Sequence, residues 1–201
     1  MNVSRIHRYV FIGRNDLNWY RDCTAVFIKL FGEERLNLVC NLFAATSINT
    51  SLKGNITLFR RALYEIENGM PVGNYLPNMA TQIQRVRDGK ELTGRKINAF
   101  AKAMAGDTDA VVVDIWLLRA FELNRQYFRQ QSQTNREGGA TEGQYAKIEG
   151  WIRHEAYCMG IEPRQLSSMI WAGIRIERNG VDDTHYKDIL ERKLTNLFNV
   201  L

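Results

Sequence analysis

The sequence predicts an all-α fold, and three observations lead to this prediction. Apolar residues recur at three- and four-residue steps along most of the chain, which is the spacing of one helix face. Glycines such as Gly32, Gly69 and Gly106 follow these stretches, at positions where helices commonly end. The single strand-like run, residues 111–113, is very short and has no evident partner, so we interpret it as a buried connector. The length of 201 residues suits one domain with a sizeable core.

The predicted helices follow one another through short connections. Two lie between residues 22 and 63, on either side of Gly32, and Asp114 is a favoured N-cap for a later, long helix. Residues 70–77 contain two prolines and are predicted to form a loop, as is the polar stretch 130–143. The other predicted helices span residues 55–66, 79–86, 96–105, 144–159, 164–177 and 186–198.

The composition excludes several classes of protein. A charged fraction of 24% beside 45% apolar residues is typical of a globular chain and not of a disordered one. No apolar run reaches about 18 residues, so we expect no membrane span. Residues 1–15 lack the apolar core of a secretory signal, and we expect an intracellular protein, cytoplasmic or nucleoid-associated.

The cysteines and histidines form no metal-binding or disulfide pattern. Cys23, Cys40 and Cys158 are widely spaced and lack the CxxC pairs of a zinc site, which suits a reducing cytosol. The three histidines are also far apart and show no HxxxH spacing. We therefore expect no metal ion and no cofactor.

One segment, residues 89–121, combines the features of a nucleic-acid contact. It reads GKELTGRKINAFAKAMAGDTDAVVVDIWLLRAF. A glycine-bounded turn leads into an amphipathic helix, whose first backbone N–H groups suit a phosphate. Between Arg85 and Lys102 six basic residues outnumber two acidic ones, so this region supplies +4 of the net charge of +5. Such a cluster suits a nucleic-acid backbone.

This segment resembles the helix-hairpin-helix DNA glycosylases of the endonuclease III superfamily. In that family a hairpin of the type L-P-G-V-G, followed by R-K, leads through a helix to V-D at the start of the next. Residues 38–63 and 169–175 are similar to the family's early helix pair and its closing core helix, so the resemblance covers most of the chain. The positions that match the hairpin and V-D motifs are Leu92, Thr93, Gly94, Arg95, Lys96, Val113 and Asp114.

The resemblance implies a two-lobed helical bundle of the glycosylase type within one all-α domain, residues 1–201. Residues 36–130 would form the central lobe, with the hairpin at 85–105, and residues 1–35 and 144–201 the second lobe. The active site would lie between the lobes. The implied partner is double-stranded DNA that contains a damaged or modified base, bound by a monomer.

The resemblance also assigns the two catalytic candidates. Asp114 matches the essential aspartate, whose carboxylate stabilises the positive charge that builds on the sugar as an N-glycosidic bond breaks. Its alternative role is that of a helix cap. Lys96 matches the nucleophile of members that also have AP-lyase activity, in which the amine forms a Schiff base with the sugar. Its alternative role is that of a solvated lysine or a phosphate contact.

Other residues are assigned by the same resemblance to DNA binding and to the base pocket. A flipped base leaves a gap in the duplex, which the family fills with a glutamine from its early segment. Thr46 stands at that position here, so Thr46 and Asn49 are the candidates for the wedge or the base pocket. The DNA-binding candidates are Lys90, Thr93, Gly94, Arg95 and Arg119.

The sequence departs from the family at several points. The hairpin lacks its proline, and the interval between Thr46 and Lys96 is shorter than in endonuclease III. No cysteine follows Cys158, which excludes the four-cysteine iron–sulfur cluster of many members.

Three hypotheses follow. The first is a DNA base-excision glycosylase, with or without AP-lyase activity. The second is a non-catalytic DNA-binding or structural protein that keeps the same helical scaffold. The third is an unrelated helical bundle in which the motif matches arise by chance.

Overall fold

A computed structural model describes residues 2–123, 140–180, 190–192, 194 and 195, and within these ranges the chain is all-α, without a strand. No described helix is both long and apolar enough to cross a membrane. The helices are α1 (Val3–Ile12), α2 (Trp19–Phe31), α3 (Leu36–Thr46), α4 (Leu52–Glu67), α5 (Pro77–Arg87), α6 (Arg95–Met104), α7 (Ile115–Ala120), α8 (Glu142–Met159) and α9 (Pro163–Asn179), with two short 3₁₀ turns at Arg14–Asp16 and Glu33–Arg35.

Most predicted helices are confirmed, with shifted ends. α4 begins at Leu52 because the Ser51 hydroxyl accepts a hydrogen bond from the amide of Gly54 and caps the helix. α7 is much shorter than the sequence predicts, since the chain leaves the helix at Phe121 and Glu122 adopts a left-handed conformation with φ of 58°. α1 was not predicted. Residues 142 and 143 belong to α8 and not to a loop; the rest of the predicted loop, up to residue 139, and most of the predicted helix 186–198 lie outside the described residues.

The chain divides into two compact units. Unit 1 consists of Met1–Tyr20 and Asp107–Tyr186, and unit 2 of Arg21–Gly106 and Lys187–Leu201. Each unit therefore draws on two separate segments of sequence. The boundaries differ from those of the lobes expected above, because residues 21–35 group with the central segment and residues 107–123 with the terminal ones.

Unit 1 is built around α9. This helix packs against α1, α7 and α8, and a core cluster of apolar side chains from all four helices surrounds it. At the crossing with α1 two glycines let the backbones meet: a Cβ atom on Gly173 would overlap the carbonyl of Tyr9, and one on Gly13 would overlap the carbonyl of Met169. The crossing therefore depends on the absence of side chains at these two positions.

Unit 2 is built around α3, which packs against α4, α5 and α6. Residues 39, 40 and 42–46 of α3 are all buried. The packing is dominated by aromatic rings that meet edge-on or tilted, with centroids between 5.2 and 6.3 Å apart, which is a favoured geometry for aromatic pairs. These rings belong to Phe27, Phe31, Phe43, Phe59 and Phe100.

The glycine contact in unit 1 leads to a first prediction. Gly173→Ala introduces a methyl group into the backbone of α1, so we expect the free energy of unfolding to fall by about 2–3 kcal/mol, measured by chemical denaturation. Gly150→Ala is the matched control, since Gly150 also lies within a helix but has nothing near its Cβ position, and it should be neutral or slightly stabilising. Equal effects of the two substitutions would contradict this account of the crossing.

The cysteines lead to a second prediction. Cys23 and Cys40 are buried, whereas Cys158 is exposed on α8, and burial raises the pKa of the Cys40 thiol to about 12. Because the thiolate is the reactive form, Cys40 should stay inert near pH 8 in the folded chain. A thiol-specific reagent should label Cys158 rapidly, and Cys23 and Cys40 only in denaturant. Rapid native labelling of the Cys158→Ser variant would contradict this expectation.

Candidate functional site

The basic segment of the sequence forms a helical hairpin in unit 2. α5 ends in a Schellman motif: the amide of Lys90 donates to the carbonyl of Arg85, and the amide of Gly89 donates to Val86. Gly89 takes a φ of 68° at this point, a conformation that favours glycine. The chain thus turns sharply after α5, and seven residues, 88–94, connect α5 to α6.

Side chains from both helices hold the turn of the hairpin. The amide group of Gln82 makes two hydrogen bonds to Thr93: its oxygen accepts from the backbone amide at 2.8 Å, and its nitrogen donates to the hydroxyl at 2.6 Å. Asn98 donates to the carbonyl of Leu92, whose side chain is buried. The turn is therefore fixed at adjacent residues by polar contacts and by one apolar anchor.

The N-terminus of α6 presents its backbone to the surface. Gly94 precedes the helix with a φ of 95°, and a Cβ atom there would meet nothing within 4 Å. The N-cap residue Gly94 has no side chain with which to cap the helix. Helix ends of this kind carry N–H groups that suit an anionic ligand. The exposed side chain of Arg95 adds positive charge beside it, whereas the Nζ of Lys90 forms an ion pair with the Asp88 carboxylate at 3.1 Å. The predicted residues Lys90, Thr93, Gly94 and Arg95 are thus brought together.

Lys96 contacts the neighbouring helix. Its Nζ donates to the Ser47 hydroxyl at 3.3 Å and lies 5.5 Å from the centre of the Phe100 ring. Ser47 forms the C-cap of α3, where the helix dipole favours a positive charge. The side chain is half-buried. This position suits an ammonium group that stabilises the end of α3.

Thr46 and Asn49 occupy different environments. Thr46 is fully buried, and its hydroxyl lies 2.6 Å from the Oδ1 of Asn55, to which it donates. A wedge has to project from the surface into the duplex, so the expectation of a wedge at Thr46 is corrected: this threonine belongs to the core of unit 2. Asn49 is exposed, with a left-handed φ of 52°.

Asp114 lies in unit 1 and is held by three N–H groups. Its Oδ1 accepts from the backbone amides of Trp116 and Leu117 at 2.8 and 3.0 Å, which confirms the predicted N-cap of α7. Its Oδ2 accepts from the indole Nε1 of Trp171 at 3.0 Å. Both oxygens of this half-buried carboxylate therefore have fixed directions.

Arginine and tryptophan side chains stack next to this carboxylate. The Arg175 guanidinium lies 4.3 Å from the centre of the Trp171 ring and 5.9 Å from that of Trp116. Arg119 lies 4.5 Å from the Trp116 ring. These are cation–π distances, so each arginine stacks on a tryptophan whose indole or backbone N–H donates to Asp114. Arg119, a predicted DNA-binding residue, is one of these arginines.

The structure thus sorts the predicted residues into two groups. The hairpin residues and Lys96 are in unit 2, as are Thr46 and Asn49, whereas Asp114 and Arg119 are in unit 1. Sequence reasoning missed the role of Gln82 in the turn and the contact of Trp171 with Asp114. Neither role leaves a local signal, because each contact joins residues far apart in sequence. Among the described residues no three His, Cys, Asp or Glu side chains are grouped to hold a metal ion.

Comparison with known proteins gives a family for this arrangement. A model described as a family of unknown function (DUF7178) matches residues 13–178, more than half of the chain. The chain belongs to this family. No curated protein and no solved structure matches it. The DUF7178 match itself carries no link to the helix-hairpin-helix glycosylases.

The DUF7178 region includes every candidate residue discussed above. The matched region begins at Gly13, the C-cap of α1, and ends in the final turn of α9. The hairpin of unit 2 and the Asp114 cluster of unit 1 therefore both lie within the matched region.

The turn of the hairpin leads to a third prediction. Gln82→Met keeps the bulk of the side chain but removes both hydrogen bonds to Thr93, so we expect a loss of about 1–2 kcal/mol in the free energy of unfolding. Hydrogen exchange of residues 88–94 should become faster. Thr81→Val, which removes an exposed hydroxyl that donates to Pro77 within the same helix, is the control and should leave exchange in the turn unchanged. Unaltered exchange in Gln82→Met would show that the turn does not depend on this contact.

Proposed function

We propose that this chain is a DNA base-excision glycosylase of the helix-hairpin-helix type, acting on a damaged or modified base. The observation that carries the proposal is the anchored carboxylate of Asp114, at the position that the resemblance assigns to the essential aspartate. Two backbone N–H groups and one indole N–H orient it, and Arg175 stacks on that indole. We further propose that the two units are the counterparts of the two lobes of that fold.

The proposed reaction breaks the bond between C1′ of the sugar and the base nitrogen. The electron pair of this bond leaves with the base, which takes up a proton, and positive charge develops on the sugar. The Asp114 carboxylate stabilises this charge because it is negative and already oriented, so little reorganisation is needed as the charge develops. Addition of water to C1′, with loss of a proton, gives the abasic site.

The hairpin of unit 2 would bind the DNA backbone in this proposal. The amide of Thr93 already donates to Gln82, so we assign the phosphate contact to the exposed backbone at Gly94. Lys90 and Arg95 would contribute sequence-independent attraction, which weakens as salt increases. Arg119 would contribute a further phosphate contact from unit 1.

Lys96 has a weaker claim to a catalytic role. A lysine nucleophile has to reach the sugar of the flipped nucleotide, whereas the Nζ of Lys96 contacts the Ser47 hydroxyl at the end of α3. The proposal therefore rests on base removal by Asp114, and AP-lyase activity through Lys96 stays a prediction.

A second candidate function is non-catalytic DNA binding on the same scaffold. The observation that favours it is the same Lys96 contact, because a lysine engaged by a helix end acts as a structural cation. This candidate predicts salt-dependent binding to duplex DNA without release of any base.

A fourth prediction tests the proposed function. Duplexes that carry one deaminated, oxidised or alkylated base are incubated with excess protein, and strand cleavage is scored with and without alkali. Wild type should release at least one class of base. Asp114→Asn should reduce the single-turnover rate constant by about 100-fold, while the fold survives because Asn is also a good N-cap. The same duplex with an abasic site and borohydride tests covalent trapping through Lys96.

Matched variants separate the possible outcomes. Lys96→Gln should abolish trapping if Lys96 is a nucleophile, whereas Lys102→Gln removes the same charge from the exposed side of α6 and should leave trapping unchanged. Base release that is unaffected in Asp114→Asn would refute the proposed mechanism. Salt-dependent binding without release from any duplex would favour the second candidate, and the absence of both would refute the two functions together.

A further inference from the structure

We propose that Trp171 is a positioning residue for Asp114, whose indole N–H sets the direction of the carboxylate during base release. This inference rests on the proposed glycosylase function and deepens it, since the family resemblance singles out the aspartate and not the tryptophan. It starts from one contact, the 3.0 Å hydrogen bond from Trp171 Nε1 to Asp114 Oδ2.

The role of this contact follows from what the other oxygen does. Oδ1 is held by two backbone amides at the start of α7, and that arrangement by itself satisfies the helix N-terminus. A carboxylate held at only one oxygen still tilts about that point. The indole N–H defines the second oxygen and therefore the plane of the carboxylate. Small errors in such an orientation have large effects on rate.

The indole is itself held in place. Trp171 is in the middle of α9, one turn before Arg175, whose guanidinium stacks 4.3 Å from the indole centre. The ring of Trp19 lies 5.7 Å away at an angle of 46°. An indole packed between a cation and a second indole has little freedom to rotate, so its N–H group points to Asp114 before any DNA arrives. The donor is thus preorganised, as electrostatic catalysis requires.

The contact also has the strength that the role needs. Hydrogen bonds to a charged acceptor are shorter and stronger than those between neutral groups. Their loss at a reacting carboxylate corresponds to a change of about 10- to 100-fold. Because Trp171 is neutral, it orients the carboxylate without cancelling the negative charge that the proposed reaction uses.

The test is a double-mutant cycle measured under single-turnover conditions on the duplex that wild type cleaves. Trp171→Phe keeps an aromatic ring but removes the donor, and should lower the rate constant of base release at least about tenfold. The Kd for the same duplex should stay within about twofold of wild type. In the Asp114→Asn background the same substitution should cause no further loss, because the group it positions is gone.

Trp151→Phe is the matched control. Trp151 is another half-buried tryptophan of unit 1. It lies on α8, where its ring contacts that of Phe121, and its substitution should leave the rate constant unchanged. Melting temperatures of all variants report any loss of fold. A structural effect of Trp171→Phe would recur at equal size in the Asp114→Asn background, whereas a positioning effect disappears there.

The outcomes distinguish failure of the positioning role of Trp171 from failure of the proposed glycosylase function. If wild type releases a base and Trp171→Phe releases it at the wild-type rate, the positioning role is overturned and the proposed function stands. Equal losses in both backgrounds overturn the positioning role in the same way. A wild-type chain that releases no base from any duplex overturns the proposed function, and the positioning role with it.

Discussion

The close approach of two backbones at Gly13 and Gly173 is the constraint on which unit 1 depends. Because an α-helix turns by about 100° per residue, Trp171 and Arg175 lie on the side of α9 opposite to Gly173. Seating Gly173 against α1 therefore directs Trp171 and Arg175 towards the start of α7. The geometry of the carboxylate at Asp114 follows from a packing contact on the far side of the same helix.

In unit 2, side-chain hydrogen bonds hold the backbone that lies outside the helices. The turn between α5 and α6 has too few residues to form a core of its own, so Gln82 and Asn98 provide hydrogen bonds for its backbone groups. At the C-terminus of α3, the Nζ of Lys96 donates a hydrogen bond to the Ser47 hydroxyl. These contacts leave the N-terminus of α6 at the surface, where Gly94 has no side chain and no neighbouring atom near its Cβ position. A rigid and basic helix end of this kind suits the backbone of a nucleic acid.

How far the sequence predicts this protein depends on whether an interaction is local. The helices and the cap at Asp114 could be predicted because they depend on residues within a few positions of each other. α7 was predicted too long, since the left-handed turn at Glu122 has no glycine to mark it. The burial of Thr46 could not be predicted, because it depends on the packing of other helices against α3, where Asn55 of α4 accepts a hydrogen bond from the hydroxyl. The contact of Trp171 with Asp114 spans 57 positions, and periodicity carries no information at that range.

The contact of Asp114 Oδ2 separates a capping role of this residue from a role beyond capping. Ser, Thr, Asn and Asp serve a helix N-terminus about equally well, and each needs only one oxygen to do so. Here one oxygen of the aspartate accepts both amide hydrogen bonds, and the other is directed to an indole that is itself fixed by Arg175 and Trp19. Capping accounts for the first of these contacts but not for the second. A half-buried carboxylate with both oxygens oriented is more than the cap of α7 requires, and in the proposed function it would stabilise a developing positive charge.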